Sequence, residues 1–257
     1  MATKKTALPE LWQEFERAKH YNYSIGLYET VKQNENFYIG KQWEGVRAEG
    51  LDKPVLNMLR RVVTYFISMI VTDDIAAVFT PFDSYRHLEA EILSSEVDRV
   101  IEQTKFKSKC RELLRNAAVD GDGCIHFYYE LPDRREEKRR EGVSARELVR
   151  ERMRSAGAIE AEVLENTHVF FGNPEVWEVQ KQPYILIAYR RLVSEVRRQA
   201  KRNGLDGQSI QPDSSLETVE LHGEGNKVTV VRKYWKEKGS VHCIEVTASA
   251  VVTPERD

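Results

Sequence analysis

Residues 62–71 read VVTYFISMIV, ten positions without a charge. Each Å² of apolar surface kept from water stabilises a fold by about 25 cal/mol, so such a run must find cover. Ten residues fall well short of the roughly 20 that span a bilayer, so the cover expected is protein. Pro54 precedes the run and Asp73–Asp74 follow it, which frames a helix over residues 55–72. Its apolar positions from Val62 onward run almost all round, the pattern of a central, buried helix.

The segments before it are helical too. Pro9 suits a first helical turn, and Leu11, Trp12, Phe15 and Ala18 follow at helical spacing. A second helix is expected over 22–39, with Ile25, Tyr28, Val31, Phe37 and Tyr38 on its buried side. Gly40 stands where a helix end takes positive φ. The string ENFYIGKQWEGV, residues 35–46, crowds Phe37, Tyr38 and Trp43 together. Such aromatics are either a stacking platform or a helix end docked on the body, and the docked reading is carried forward.

Beyond the apolar helix, IAAVFTPF (75–82) reads as a short strand ended by Pro81. Ser84 is the expected cap of a helix carrying Leu88, Ile92, Val97, Val100 and Ile101. Phe106, Cys110, Leu113, Leu114, Ala117 and Ala118 mark another. DGDG at 120–123 turns into an alternating strand, CIHFYYEL. Residues 132–157 then change character. Nine Arg and Lys face six Asp and Glu over 133–154, with few bulky apolar residues, as in a solvated helical excursion. From residue 158 the pattern is β-rich, with a turn at Gly172–Pro174, a strand at 184–190 and a basic helix capped by Ser194 and ended by Gly204. A hairpin turns at Lys238–Gly239. The expected class is α+β, in three parts: a mainly helical 1–131, the excursion 132–157, and a β-rich 158–257 ending in the hairpin.

Chemistry is sparse. Cys110, Cys124 and Cys243 are odd in number and far apart, which argues against a disulfide framework or a zinc site. Two carboxylates and an imidazole, Asp120, Asp122 and His126, are the one set with metal-binding character. However, they lack the regular oxygen ligands and closing Glu of a calcium loop, and Asp and Gly are also what a tight turn needs. No nucleophile elbow and no phosphate-cradling glycine motif occurs, and His168 and His242 are isolated in sequence. The expectation is no catalytic residue, no cofactor and no metal. With 39 basic against 41 acidic residues the net charge is −2, unlike the basic excess of a tight nucleic-acid binder. The rival readings are a nucleic-acid module built on the basic helices (134–154 and 190–202), and a metal-dependent enzyme around Asp122 and His126.

The order of the pieces carries more information than any one of them. IGLYETVKQNENFYIGKQWEGV, then KPVLNMLRRVVTYFISMIV, then GDGCIHFYYE, and finally GAIEAEVLENTHVFFGNP with QPYILIAYR resembles the N-terminal half of siphophage-type portal proteins of tailed bacteriophages and prophages. The resemblance covers most of residues 20–204. It implies a wing-like α+β domain without enzymatic activity of its own. It also implies a subunit of a dodecameric ring at the capsid vertex, assembled in the bacterial host cytoplasm and retained in the virion. DNA enters and leaves through that ring, touching it only transiently and non-specifically. The large terminase subunit, head-completion and connector proteins, capsid and scaffold are the implied partners, and no membrane is involved. The family continues into clip, stem and crown, so a chain stopping at VVTPERD is expected to represent the wing portion.

Overall fold

The computed structural model describes residues 8–47, 50–72, 76–83, 85–130, 158–213 and 226–256. The charged segment 132–157, Asp73–Asp74 and Ser84 lie outside the described residues. The architecture is α+β, and the chain divides into two compact units. The first joins residues 1–36 to 165–257, and the second is 37–164. This division differs from a linear split at 131 and 158, because the first helix belongs with the last strands.

In the first unit, five antiparallel strands form a meander: β3 (Val169–Phe171), β4 (Tyr184–Leu192), β5 (Lys227–Glu237), β6 (Ser240–Val246) and β7 (Val251–Arg256). Alternation along β5 sends successive valines to opposite faces. Val231 joins Phe170, Leu186, Ala188, Ile244 and Val246 under α1 (Leu8–Ser24), which contributes Leu11 and Phe15, both fully buried. Phe15 meets Phe170 edge-on at 5.3 Å. Val228 and Val230 face the other way, with Val252 and Ile210, against Val193, Val196 and Ala200 of α6 (Val193–Arg202). The result is a helix–sheet–helix sandwich. Lys238 and Gly239 both take positive φ (51° and 90°), so β5 and β6 are joined by the two-residue turn the sequence predicts.

Two local expectations for this unit are corrected. Ser194 does not cap α6; Leu192 holds the cap position, without a side-chain hydrogen bond, because β4 runs straight into the helix. The second helix does not begin at 22. α1 continues to Ser24, Gly26 breaks the chain at φ 70°, and α2 spans Leu27–Ile39. Of its predicted buried side, only Val31 is buried, while Ile25 and Phe37 are exposed.

The second unit contains α3 (Met58–Ile70), α4 (His87–Gln103), α5 (Phe106–Asp120) and the antiparallel pair β1 (Cys124–Glu130) and β2 (Ala158–Leu164). α5 is its hub, packing on α3, on α4 and on both strands. Gly121 ends α5 at φ 95°, as the helix-to-strand turn requires. A side chain at Gly123 would press its Cβ to 2.9 Å from the Leu113 carbonyl, so that turn is held close to the helix.

Here the largest correction falls. α3 is a helix where expected, but not one of its residues is buried. Val63 and Ile67 are half-buried and Val71, just past the helix, is buried, a single line at helical spacing. Hydropathy reports what a side chain prefers; it does not guarantee a partner within reach. The predicted strand at 75–82 is also absent from the described part of that stretch, since a lone extended segment has no ladder to join. It is pinned instead by the Phe79 amide donating to Ser94 Oγ on α4 (3.0 Å). On α4, Ala90 alone is buried, and the predicted core residues Leu88 and Ile92 point to solvent.

Candidate interaction surface

Most of the large apolar side chains that remain exposed belong to the second unit, and α3 holds the densest set: Met58, Leu59, Val62, Tyr65, Phe66, Met69 and Ile70. Monomeric proteins rarely leave contiguous apolar patches of more than a few hundred Å² uncovered, and those that do use them for contact.

The N-terminal end of this surface is built by one side chain. Asn57 Nδ2 donates to the Tyr38 carbonyl at the end of α2 (2.6 Å), and Asn57 Oδ1 accepts from the Arg60 amide at the start of α3 (3.0 Å). One amide thus satisfies an orphan acceptor of one helix and an orphan donor of the next. Gly40 makes this approach possible. It takes φ 86°, and a Cβ there would sit 3.1 Å from Val55 Cγ1. The joint predicts a graded result in thermal melts. Asn57→Ala should lose about 1–2 kcal/mol, whereas Asn57→Asp keeps the cap on α3, loses the bond to Tyr38 and should fall between.

Trp43 is corrected from a buried anchor to a strap. It is 36% exposed, and its indole Nε1 donates to the Pro54 carbonyl at 3.0 Å. Lys53 Nζ closes the same loop on the Val46 carbonyl (2.9 Å). Full burial would make Trp43→Ala cost about 3–5 kcal/mol; a half-exposed ring with one hydrogen bond should cost about 1–2 kcal/mol in urea unfolding. Tyr38 does pack, with the Arg115 guanidinium 5.0 Å above its ring.

Between these anchors and α3 lies an open cleft of about 680 Å³, lined by Ile39, Val55 and Leu56 on one side and by Arg60, Arg61 and Tyr65 on the other. Both arginines are exposed, and neither guanidinium makes an ion pair or hydrogen bond among the described residues. The cleft is therefore apolar with a cationic rim.

The rival candidates look different once folded. Asp120 is buried beside Arg115 (4.0 Å), Asp122 is exposed in the turn, and His126 stacks on Tyr128 at 5.0 Å. Among the described residues no three His, Cys, Asp or Glu side chains gather as a metal site would require. The basic segment 190–202 is engaged in part, with Arg190 and Arg191 on β4 and Arg197 on α6. Arg190 holds Asp213 (2.9 Å) and Thr229, Arg191 donates to Gln199 (2.8 Å), and Arg197 donates to the Ile210 carbonyl (2.6 Å). Arg190 and Arg197 thus hold the connection between β4 and β5, whereas Arg198 and Lys201 of α6 are exposed. The other basic segment, 134–154, lies outside the described residues. Burial pushes the Cys110, Cys124 and Cys243 thiols up, opposite to what an activated nucleophile needs. His168 is pulled down by burial against a weaker opposing pull from Glu165, and His242 lies 3.2 Å from Glu255 and stacks on Trp235.

Sequence reasoning missed a buried charge cluster on the sheet. Arg232 and Glu245 are cross-strand partners on β5 and β6, with Arg232 Nε 2.7 Å from Glu245 Oε1. Gln199 of α6 and Thr253 of β7 both donate to Glu245 Oε2, each at 2.5 Å. Alternation in KVTVVRKYW put Arg232 on the face of Val228 and Val230, and that was the available signal. The four residues bond to one another and to their neighbours Arg191, Asn203 and Tyr234, so the cluster holds the sheet and α6 together.

No described helix is long and apolar enough to cross a membrane. Compared with models of known protein families and with curated proteins, the chain matches none.

Proposed function

We propose that this chain is a structural subunit of a tailed-phage or prophage portal, contributing a wing-like domain to the ring at the capsid vertex. In this reading it carries no catalytic residue, cofactor or metal. It works by contact with copies of itself, with the large terminase subunit, with head-completion and connector proteins, and with capsid and scaffold. Duplex DNA passes it without being gripped, and its place is the virion after assembly in the host cytoplasm.

The observation that carries the reading is the uncovered apolar face of α3, which suits a subunit completed by its neighbours. The near-neutral charge fits a conduit, because each phosphate neutralised by a cation would add a counterion-release term that holds DNA in place. The test is direct. At micromolar concentration the chain is expected to be monomeric or weakly associating. On concentration it should give ring-shaped particles with a central channel in negative-stain electron microscopy. Salt-sensitive duplex binding by the monomer would support the nucleic-acid reading instead. Tight stoichiometric metal uptake lost in Asp122→Ala would support the enzyme.

A further inference from the structure

We infer that the cationic-rimmed cleft at the start of α3 receives the outward face of α4 from a second copy of this chain. The argument rests on charge complementarity. The cleft offers apolar walls (Ile39, Val55, Leu56) and two guanidiniums, Arg60 and Arg61, without partners among the described residues. The outward face of α4 offers the converse. Leu88 and Ile92, one turn apart, are 68% and 54% exposed, and Glu89 and Glu91 flank them. Glu91 has no partner among the described residues, and Glu89 has only a 3.9 Å approach from Arg86 with both side chains exposed. An aliphatic pair bordered by carboxylates is the chemical counterpart of an aliphatic cleft bordered by guanidiniums, and guanidinium–carboxylate pairing is geometrically specific.

One copy does not satisfy both halves. α3 and α4 each pack on α5 and not closely on one another. Because two different faces meet, the contact is heterologous and repeats from copy to copy, closing into a ring when the rotation allows. Exposed ion pairs add little affinity, so the apolar area supplies the attraction and the charges set the register. The inference rests on the reading of the chain as an assembling subunit, and names the contact through which it assembles.

The test uses the full chain and charge reversal. Arg60→Glu with Arg61→Glu makes one variant, Glu89→Lys with Glu91→Lys a second, and all four changes a third. The altered side chains are exposed; Glu in the first turn of α3 suits the helix dipole, and Glu89→Lys in the first turn of α4 opposes it only weakly, so circular dichroism melts should stay near the parent. Sedimentation across about a hundredfold range of concentration should show the parent associating. Each two-site variant should associate roughly tenfold more weakly, with recovery in the four-site variant and in an equimolar mixture of the two. A parent that stays monomeric throughout, indifference to either reversal, or losses without recovery would overturn the contact. Rings that tolerate both reversals would sink this contact but leave the portal reading standing. Association that follows the charge pattern yet never gives rings would do the opposite.

Discussion

Phe15→Ala is expected to destabilise the first unit by about 3–5 kcal/mol, the usual cost of emptying a fully buried aromatic site. Phe15 has no exposed surface, meets Phe170 edge-on and shares its cluster with Leu186, Val231 and Val246. The readout is urea unfolding followed by tryptophan fluorescence, since Trp12, Trp177 and Trp235 lie in that unit. Tyr21→Ala, on the same helix, is the control. Its ring is half-exposed, and the loss should stay near 1 kcal/mol. Equal effects from the two would mean that α1 does not dock on the sheet.

The second large effect concerns Glu245. Glu245→Ala leaves Arg232 buried without its carboxylate, which should cost about 3–5 kcal/mol, whereas Arg232→Met with Glu245→Leu should cost less, about 1–3 kcal/mol, because Gln199 and Thr253 still lose their shared acceptor. Burial pushes the Glu245 carboxyl up, but Arg232 beside it, with bonds from Thr253 and Arg232, outweighs that and holds it below its ordinary value of 4.5. Between that depressed value and 4.5 the unfolded chain binds the extra proton. The cluster's contribution is therefore complete above pH 4.5 and is lost as pH falls through the folded-state value. His168 acts earlier and in the same direction. Its folded-state pKa lies below 6.5, so stability begins to fall once pH drops below 6.5. Melting temperature against pH should decline in two stages, and Glu245→Gln should flatten the lower one. A single-stage curve unchanged by that substitution would contradict the assignment.

The readable part of the fold was its local part. The alternation of KVTVVRKYW, the Lys238–Gly239 turn and the helical periods around Leu11, Leu59 and Leu113 all appear as elements where the residues placed them. What escaped was non-local. Nothing near Phe15 announces that its neighbours are Phe170 and Val231, and nothing in VVTYFISMIV announces that most of its apolar surface meets no other part of the described chain. Arg190 and Arg197 read as solvated charge because their partners, Asp213 and the Ile210 carbonyl, lie in a connection whose path no periodicity encodes. The α3 cleft was invisible for a related reason. It exists because Asn57 bonds across 19 residues to Tyr38, a joint no pattern of hydropathy contains.

The first unit is made from both ends of the chain, with the second inserted between them, and this has a consequence for synthesis. α1 leaves the ribosome before its docking surface, which begins at Phe170. At about 5–20 residues per second, its apolar stripe waits roughly ten to thirty seconds for that surface. The inserted unit needs no such delay, since α5, β1 and their neighbours are consecutive in the chain. The middle of the polypeptide should therefore fold before its beginning. A nascent chain stalled near residue 180 should expose Leu11 and Phe15 to chaperones, and one released after β7 should not.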